Sequence, residues 1–308
     1  MSDEKLRHAA DPAARLAHFS LKARQVVEGV LSGIHKSPHV GSSIEFLEHK
    51  QYTPGDEIRQ IDWKLLARTD RHYIKQFENE TNVRAYLVLD SSASMEYASP
   101  GRESKFDYAC GLAASLAWLM LRQSDAVALM TLSNSGPAYI PPRSRPGHLQ
   151  ALLSALSAQS PGRGRSLARL MEEAAGRVRR RSIVIVITDA LEPLETVISG
   201  LKLLRYRRNE VILFQTLDPW ELEFPFSRLT LFESLEDDRR LMADAAAARR
   251  AYLEALGDFM ESLRRECEAH GMDYRVMNTG VPLQSALSEF LAARAAAGRA
   301  GSTARRPG

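Results

Sequence analysis

Only two cysteines occur in the 308 residues, Cys110 and Cys267, far apart in helix-like stretches. Two thiols cannot build a four-ligand zinc site alone, nor a disulfide-dense scaffold. Buried, reduced, small apolar side chains are the expectation. Long hydrophobic runs are missing too: no stretch reaches the roughly 18 uncharged apolar residues of a membrane span. The opening MSDEKLRHAADPAARLAHFS is charged and lacks the apolar centre of a secretory signal. A cytoplasmic, reducing location is therefore expected. Nor does one sign of charge dominate. Lys plus Arg is 41 and Asp plus Glu is 38, a net charge of +3, which leaves no footprint of a nucleic-acid surface. The Arg-rich clusters at 177–181, 205–208 and 264–265 fall near helix ends, where cations complement the helix dipole. The eight histidines make no HxxxH or HxxEH pattern, and no Walker loop, GxGxxG or GxSxG opens a helix.

What is present is an ordinary globular composition, 44% hydrophobic and 26% charged, in a length suited to about two domains. Residues 13–34 carry Leu16, Phe19, Val26, Val27, Val30 and Ile34 at helical spacing, predicting an amphipathic helix that ends near Gly33. Residues 35–70 are rich in Pro, Gly, Ser and charge and read as an ordered irregular strap. Strand patterns follow at 72–80, 84–89, 126–133, 182–188 and 210–218, with helical patterns at 106–123, 146–158, 166–180 and 193–206 between the last four. The alternation and the continuous apolar strands argue for a parallel sheet covered by helices on both faces. Residues 228–243 read as an inserted β-hairpin, and Asp244 as the cap of a long helix stopping at Gly271. A strand at DYRVMNT and a closing helix to Arg294 complete the pattern, and the small, basic 295–308 reads as a disordered tail.

Two core strands end in aspartate, at Asp90 and Asp189. In open α/β sheets the ligand crevice lies beyond the carboxyl ends of the strands. The first continues as Asp90-Ser91-Ser92-Ala93-Ser94, and alternate residues of an extended loop face the same way. Asp90, Ser92 and Ser94 can therefore aim three hard oxygens at one point, a donor set suited to Mg²⁺, Mn²⁺ or Ca²⁺. The bland alternative is an aspartate capping a polar turn. A phosphatase-like hydrolase using Asp90 and Asp189 is the enzymatic alternative, but an aspartyl nucleophile usually wants a second carboxylate two residues on, and that position is Ser92.

Asp90-x-Ser92-x-Ser94 with the later Asp189 resembles the metal-ion-dependent adhesion site of von Willebrand factor A domains. Upstream, Glu45-Phe46, Tyr52, Pro54-Gly55-Asp56, Arg59, Ile61-Asp62-Trp63 and Ala67-Arg68 resemble the signature of the bacterial family called domain of unknown function 58. The resemblance implies a von Willebrand factor A-like α/β fold and an adaptor role beside a MoxR-type AAA+ ATPase, with no known reaction. Many relatives carry N-terminal membrane helices, and this chain looks like the short form without them. The adhesion sites usually add a threonine, but Gly162-Arg163-Gly164-Arg165-Ser166-Leu167 puts Arg165 there, with Ser166 as the substitute after a one-residue shift. Weak metal binding that a partner completes is the expectation.

The expected organisation is an N-terminal helix and strap over 1–71, an A-like domain over 72–294, and the tail. The expected metal ligands are Asp90, Ser92, Ser94, Asp189 and Ser166. The strap residues Asp56, Arg59, Asp62, Trp63 and Arg68 form either an internally paired, Trp-anchored structure or a partner-docking surface, since Trp and Arg are enriched at interface hot spots.

Overall fold

The computed structural model describes residues 11–36, 48–51, 73–76, 83–133 and 136–303. The chain divides into two compact units, Met1–Gly33 with Val83–Gly308, and Ile34–Asn82. In the smaller unit, β1 (Glu48–Gln51) pairs antiparallel with β2 (Tyr73–Gln76). The described part of the 72–80 strand pattern, Tyr73–Gln76, thus belongs to this two-stranded sheet and not to the central one.

The larger unit is built on six strands: β3 (Arg84–Leu89), β4 (Ala126–Ser133), β5 (Gly136–Arg143), β6 (Ile183–Thr188), β7 (Glu210–Leu217) and β10 (Asp273–Asn278). Their spatial order is β10-β7-β6-β3-β4-β5, parallel throughout except for β5. Strands β3 and β6 are apolar along their length because both of their faces are covered. β5, GPAYIPPR, escaped the sequence reading because three prolines remove ladder donors. It survives as the sheet's edge strand, where Pro is tolerated.

One face carries α2 (Lys105–Arg122), α3 (His148–Ser157) and α8 (Leu283–Thr303). The small residues Ala109, Ala113 and Ala117 of α2 are fully buried, and Phe290 of α8 meets Phe214 of β7 edge to face at 4.8 Å. The other face carries α4 (Leu167–Arg177), α5 (Leu194–Arg205) and α7 (Ala245–Ala269), closed over Tyr86, Val88, Met130, Val186 and Leu213. α5 approaches α4 closely because Gly200 leaves room for the Met171 side chain. This is the expected α/β architecture, a mostly parallel sheet with helices on both faces.

α1 (Pro12–Lys36) packs through Phe19, Ala23, Val26 and Val27. Arg15 donates to the Ser157 carbonyl at 3.1 Å, and the Lys22 ammonium meets Glu103 at 2.5 Å. The described part of this helix through Gly33 therefore goes with the larger unit, whereas the sequence reading grouped it with the strap. α8 continues to Thr303, beyond the point where the sequence reading began a tail. Apolar contacts at Leu287 and Phe290 seed the helix, and the alanine-rich 292–297 prolongs it. The hairpin is present as β8 (Leu229–Glu233) and β9 (Arg240–Asp244). Asp244 caps α7 by accepting from Ala246 and Ala247, and Gly271, at φ 63°, follows it. Both cysteines are buried, and burial pushes both thiols up, Cys267 to about 12, so they stay protonated packing groups.

Candidate metal and partner-docking site

Counting only the strands of the central sheet, the spatial order is 3-2-1-4-5-6, so the order reverses between β3 and β6. That reversal is where parallel α/β sheets open a crevice at the carboxyl edge. Asp90 and Asp189 are the residues immediately after these two strands. The Asp90 amide donates to the Ile187 carbonyl at 2.9 Å, continuing the β3–β6 ladder up to the site. The two aspartates thus share one edge, as expected.

The loop after β3 is fixed from several sides. Asp90 is 3% exposed. One of its carboxylate oxygens accepts from the Ser92 amide at 2.8 Å and the other from the Thr188 hydroxyl at 2.6 Å. The Ser91 hydroxyl turns inward and donates to the Leu132 carbonyl at 2.6 Å. The Ser92 and Ser94 hydroxyls hydrogen-bond to each other, their oxygens 3.1 Å apart. The Ser92 and Ser94 oxygens of the DxSxS loop thus meet, and Ser91 is the structural serine. A short 3-10 turn, Ala93–Glu96, ends the loop.

Asp189 is also buried, but its carboxylate is already engaged. One oxygen accepts from the Lys105 ammonium at 2.7 Å, and the other faces the Leu191 amide at 3.3 Å. Lys105, at the start of α2, is 0% exposed and also donates to Glu221 at 2.6 Å. Burial pulls the lysine pKa down, but Asp189 and Glu221 overcome it, and the net shift is upward. The second oxygen of Glu221 accepts from the Asp218 amide at 2.8 Å, closing the capping box of α6 (Pro219–Glu223). Asp218 is a third strand-end aspartate, fully buried, and it accepts from the Ser99 amide and hydroxyl, both at 3.0 Å.

Burial and the nearby Asp189 charge push the Asp90 carboxyl up to about 6, against the Thr188 and Ser92 hydrogen bonds. The loop before α4 lies alongside: Gly162 donates its amide to the Ser91 carbonyl at 3.0 Å, and Arg165 donates to the same oxygen at 3.1 Å. The arginine therefore braces the DxSxS loop through its backbone. Ser166 stands at the N-cap of α4, where its hydroxyl makes no cap bond, and the Leu167 amide is taken instead by Glu192 at 2.7 Å.

Glu236, at the tip of the β8–β9 hairpin, accepts from the Ser94 amide at 2.6 Å. Arg163 ties the same tip down, donating to the Leu235 carbonyl at 3.0 Å and to Asp238 at 2.6 Å. Sequence reading missed Lys105, Glu221 and Glu236 because each arrives from a distant segment with no motif around it, and Thr188 because a threonine next to Asp189 carries no sign of its bond to Asp90. The one available hint was Lys105, a charge opening an apolar-rich helix. The strap residues Asp56, Arg59, Asp62, Trp63 and Arg68 lie outside the described residues.

Among the described residues no three His, Cys, Asp or Glu side chains gather as a metal cluster. A cation at this edge would have to rely on hydroxyl oxygens. An octahedral Mg²⁺ with oxygens at about 2.1 Å sets neighbouring ligands about 3.0 Å apart. The 3.1 Å spacing of the Ser92 and Ser94 hydroxyls fits one such edge, with Asp90 at the base of the loop. Asp189 fits less directly, since the lysine already neutralises it.

The sequence pattern of a family described as "Protein of unknown function DUF58" matches residues 48–259, more than half of the chain. Uncharacterized proteins of Mycobacterium tuberculosis and Mycobacterium bovis are each 28% identical over 258 residues, covering 78% of this chain and 79% of theirs. Among solved structures, the conserved hypothetical protein BatB from Bacteroides thetaiotaomicron aligns with a TM-score of 0.45 and 17% identity, over 69% of this chain and 98% of that one. The von Willebrand factor A domain of SpRpn10 aligns with a TM-score of 0.38 and 11% identity, over 67% of this chain and 94% of that one.

Proposed function

Since the chain belongs to the family of proteins of unknown function DUF58, we propose that it is a non-enzymatic, metal-dependent protein-interaction module acting beside a MoxR-type AAA+ ATPase. The supporting observation is the Ser92–Ser94 hydroxyl pair, 3.1 Å apart at the sheet's switch point, with Asp90 fixed behind it. Ser92, Ser94 and Asp90 would hold Mg²⁺, or Mn²⁺ or Ca²⁺, as hard oxygen ligands. A bound cation supplies an electropositive point to which a carboxylate can attach. The chain's own residues do the rest. Thr188 and the Ser92 amide orient Asp90, Arg165 braces the loop, and Lys105 holds Asp189 in place.

Two neutral hydroxyls and one carboxylate bind a divalent ion weakly, because affinity rises with the charge of the ligand set. An Asp or Glu from the partner can ligate the cation, so partner affinity should depend on the cation. The ATPase as partner rests on the family resemblance. No helix of the described residues is long and apolar enough to cross a membrane.

Calorimetry of the chain against its cognate ATPase, with Mg²⁺ and with chelator, tests the proposal. Affinity should fall with chelator and in Asp90→Ala. Equal affinity in all three would make the DxSxS loop a structural remnant.

A further inference from the structure

The hairpin tip reaches the metal-site loop from 142 residues away in sequence, and it does so with a carboxylate. The Glu236 oxygen lies 2.6 Å from the Ser94 amide, on one of the two serines whose hydroxyls form the site. An incoming acidic side chain would need this same neighbourhood. Arg163 supplies the tip's other ties to this loop, through the Leu235 carbonyl and Asp238, and both are exposed, the ion-paired side chains 56% and 97%. Exposed pairs of this kind hold weakly. The hairpin itself makes few commitments on its outer surface, where Leu229, Leu231 and Met242 are 70%, 47% and 59% exposed. The base of the hairpin is anchored by Phe232, which packs on Phe224 and Phe226, whereas a tip held by exposed contacts belongs to the low-stability end of a fold.

We propose that Glu236 is a resident carboxylate of the DxSxS site, placed by the hairpin where a partner's acidic residue would enter, so that a partner gains the site by lifting the hairpin tip. This rests on the interaction reading above and adds its regulation. With the tip down, Glu236 contributes charge to the cation and blocks the acid of a partner. With the tip up, the cation loses that ligand and gains the partner's.

Hydrogen exchange on the full chain, wild type against Glu236→Gln and Arg163→Ala, reads the contact directly. The Ser94 amide and residues 234–239 should exchange about tenfold faster in Glu236→Gln, with β3 and β6 unchanged. Mn²⁺ titration of the same proteins should show affinity reduced about tenfold in Glu236→Gln, since ligand charge sets affinity, and abolished in Ser92→Ala. Wild-type exchange at the tip in Glu236→Gln overturns the proposal, and if Ser92→Ala still loses Mn²⁺, the interaction reading stands without it. A loosened tip with Mn²⁺ binding equal in wild type and Glu236→Gln also overturns it. Mn²⁺ binding untouched by Ser92→Ala sinks the metal reading instead.

Discussion

The Lys105 ammonium lies 2.7 Å from a carboxylate oxygen of Asp189, and neither side chain reaches solvent. The lysine opens a helix on one face of the sheet and the aspartate ends a strand 84 residues later. Their pairing gives the candidate site a permanent internal cation beside the place where a metal would bind. It also divides the labour of the two strand-end aspartates: Asp189 neutralises the lysine, and Asp90 is left for the site.

Breaking that pair should be costly. Lys105→Met leaves Asp189 and Glu221 buried without their cation, and removing one partner of a buried pair typically costs about 3–5 kcal/mol. Urea unfolding of Lys105→Met should show a midpoint well below wild type. A change within the error of the fit would mean that Asp189 is solvated in solution.

The raised Asp90 carboxyl makes a signed prediction. Its folded value of about 6 lies above that of an unfolded aspartate, so the native state binds more protons between roughly pH 4 and 6. Stability of the metal-free chain should therefore fall as pH rises through that window. Asp90→Asn should be more stable than wild type at pH 8 in chelator and lose that advantage near pH 4. Thermal melts at both pH values check this, and an advantage that does not depend on pH would contradict it.

Mg²⁺ should reverse the ranking. A cation at Asp90 favours the ionised form, so saturating Mg²⁺ should raise the melting temperature of the wild type at pH 8 but not that of Asp90→Asn or Ser92→Ala. Equal stabilisation of all three proteins would place any bound ion elsewhere.

Catalysis is expected to be absent. With Ser92 two residues after Asp90, a phosphatase mechanism lacks its usual second carboxylate. The purified chain with Mg²⁺ should release no phosphate from p-nitrophenyl phosphate or ATP above buffer. Turnover abolished by Asp90→Asn would establish the hydrolase alternative.

By itself the sequence determined the sheet strands that flank the site, the helices on both faces, the hairpin, the caps at Asp244 and Gly271, and the meeting of the Ser92 and Ser94 oxygens. These are local or periodic properties: burial of Val and Ile on both faces of a strand, period two along a loop, a side chain reaching its own helix start. The edge strand β5 and the extent of α8 were not legible, because proline content and low hydrophobicity argue against elements that only neighbouring packing sustains. The partners of the site were not legible either. Lys105 on Asp189, Thr188 on Asp90, Arg165 on the Ser91 carbonyl and Glu236 on Ser94 each join segments separated in the chain. Strand order decides these meetings, since setting β3 beside β6 at the switch point brings both aspartates, the α2 terminus and the hairpin tip to one edge. A linear pattern names the oxygens that can bind a cation, but only tertiary structure decides which charges are already neutralised before one arrives.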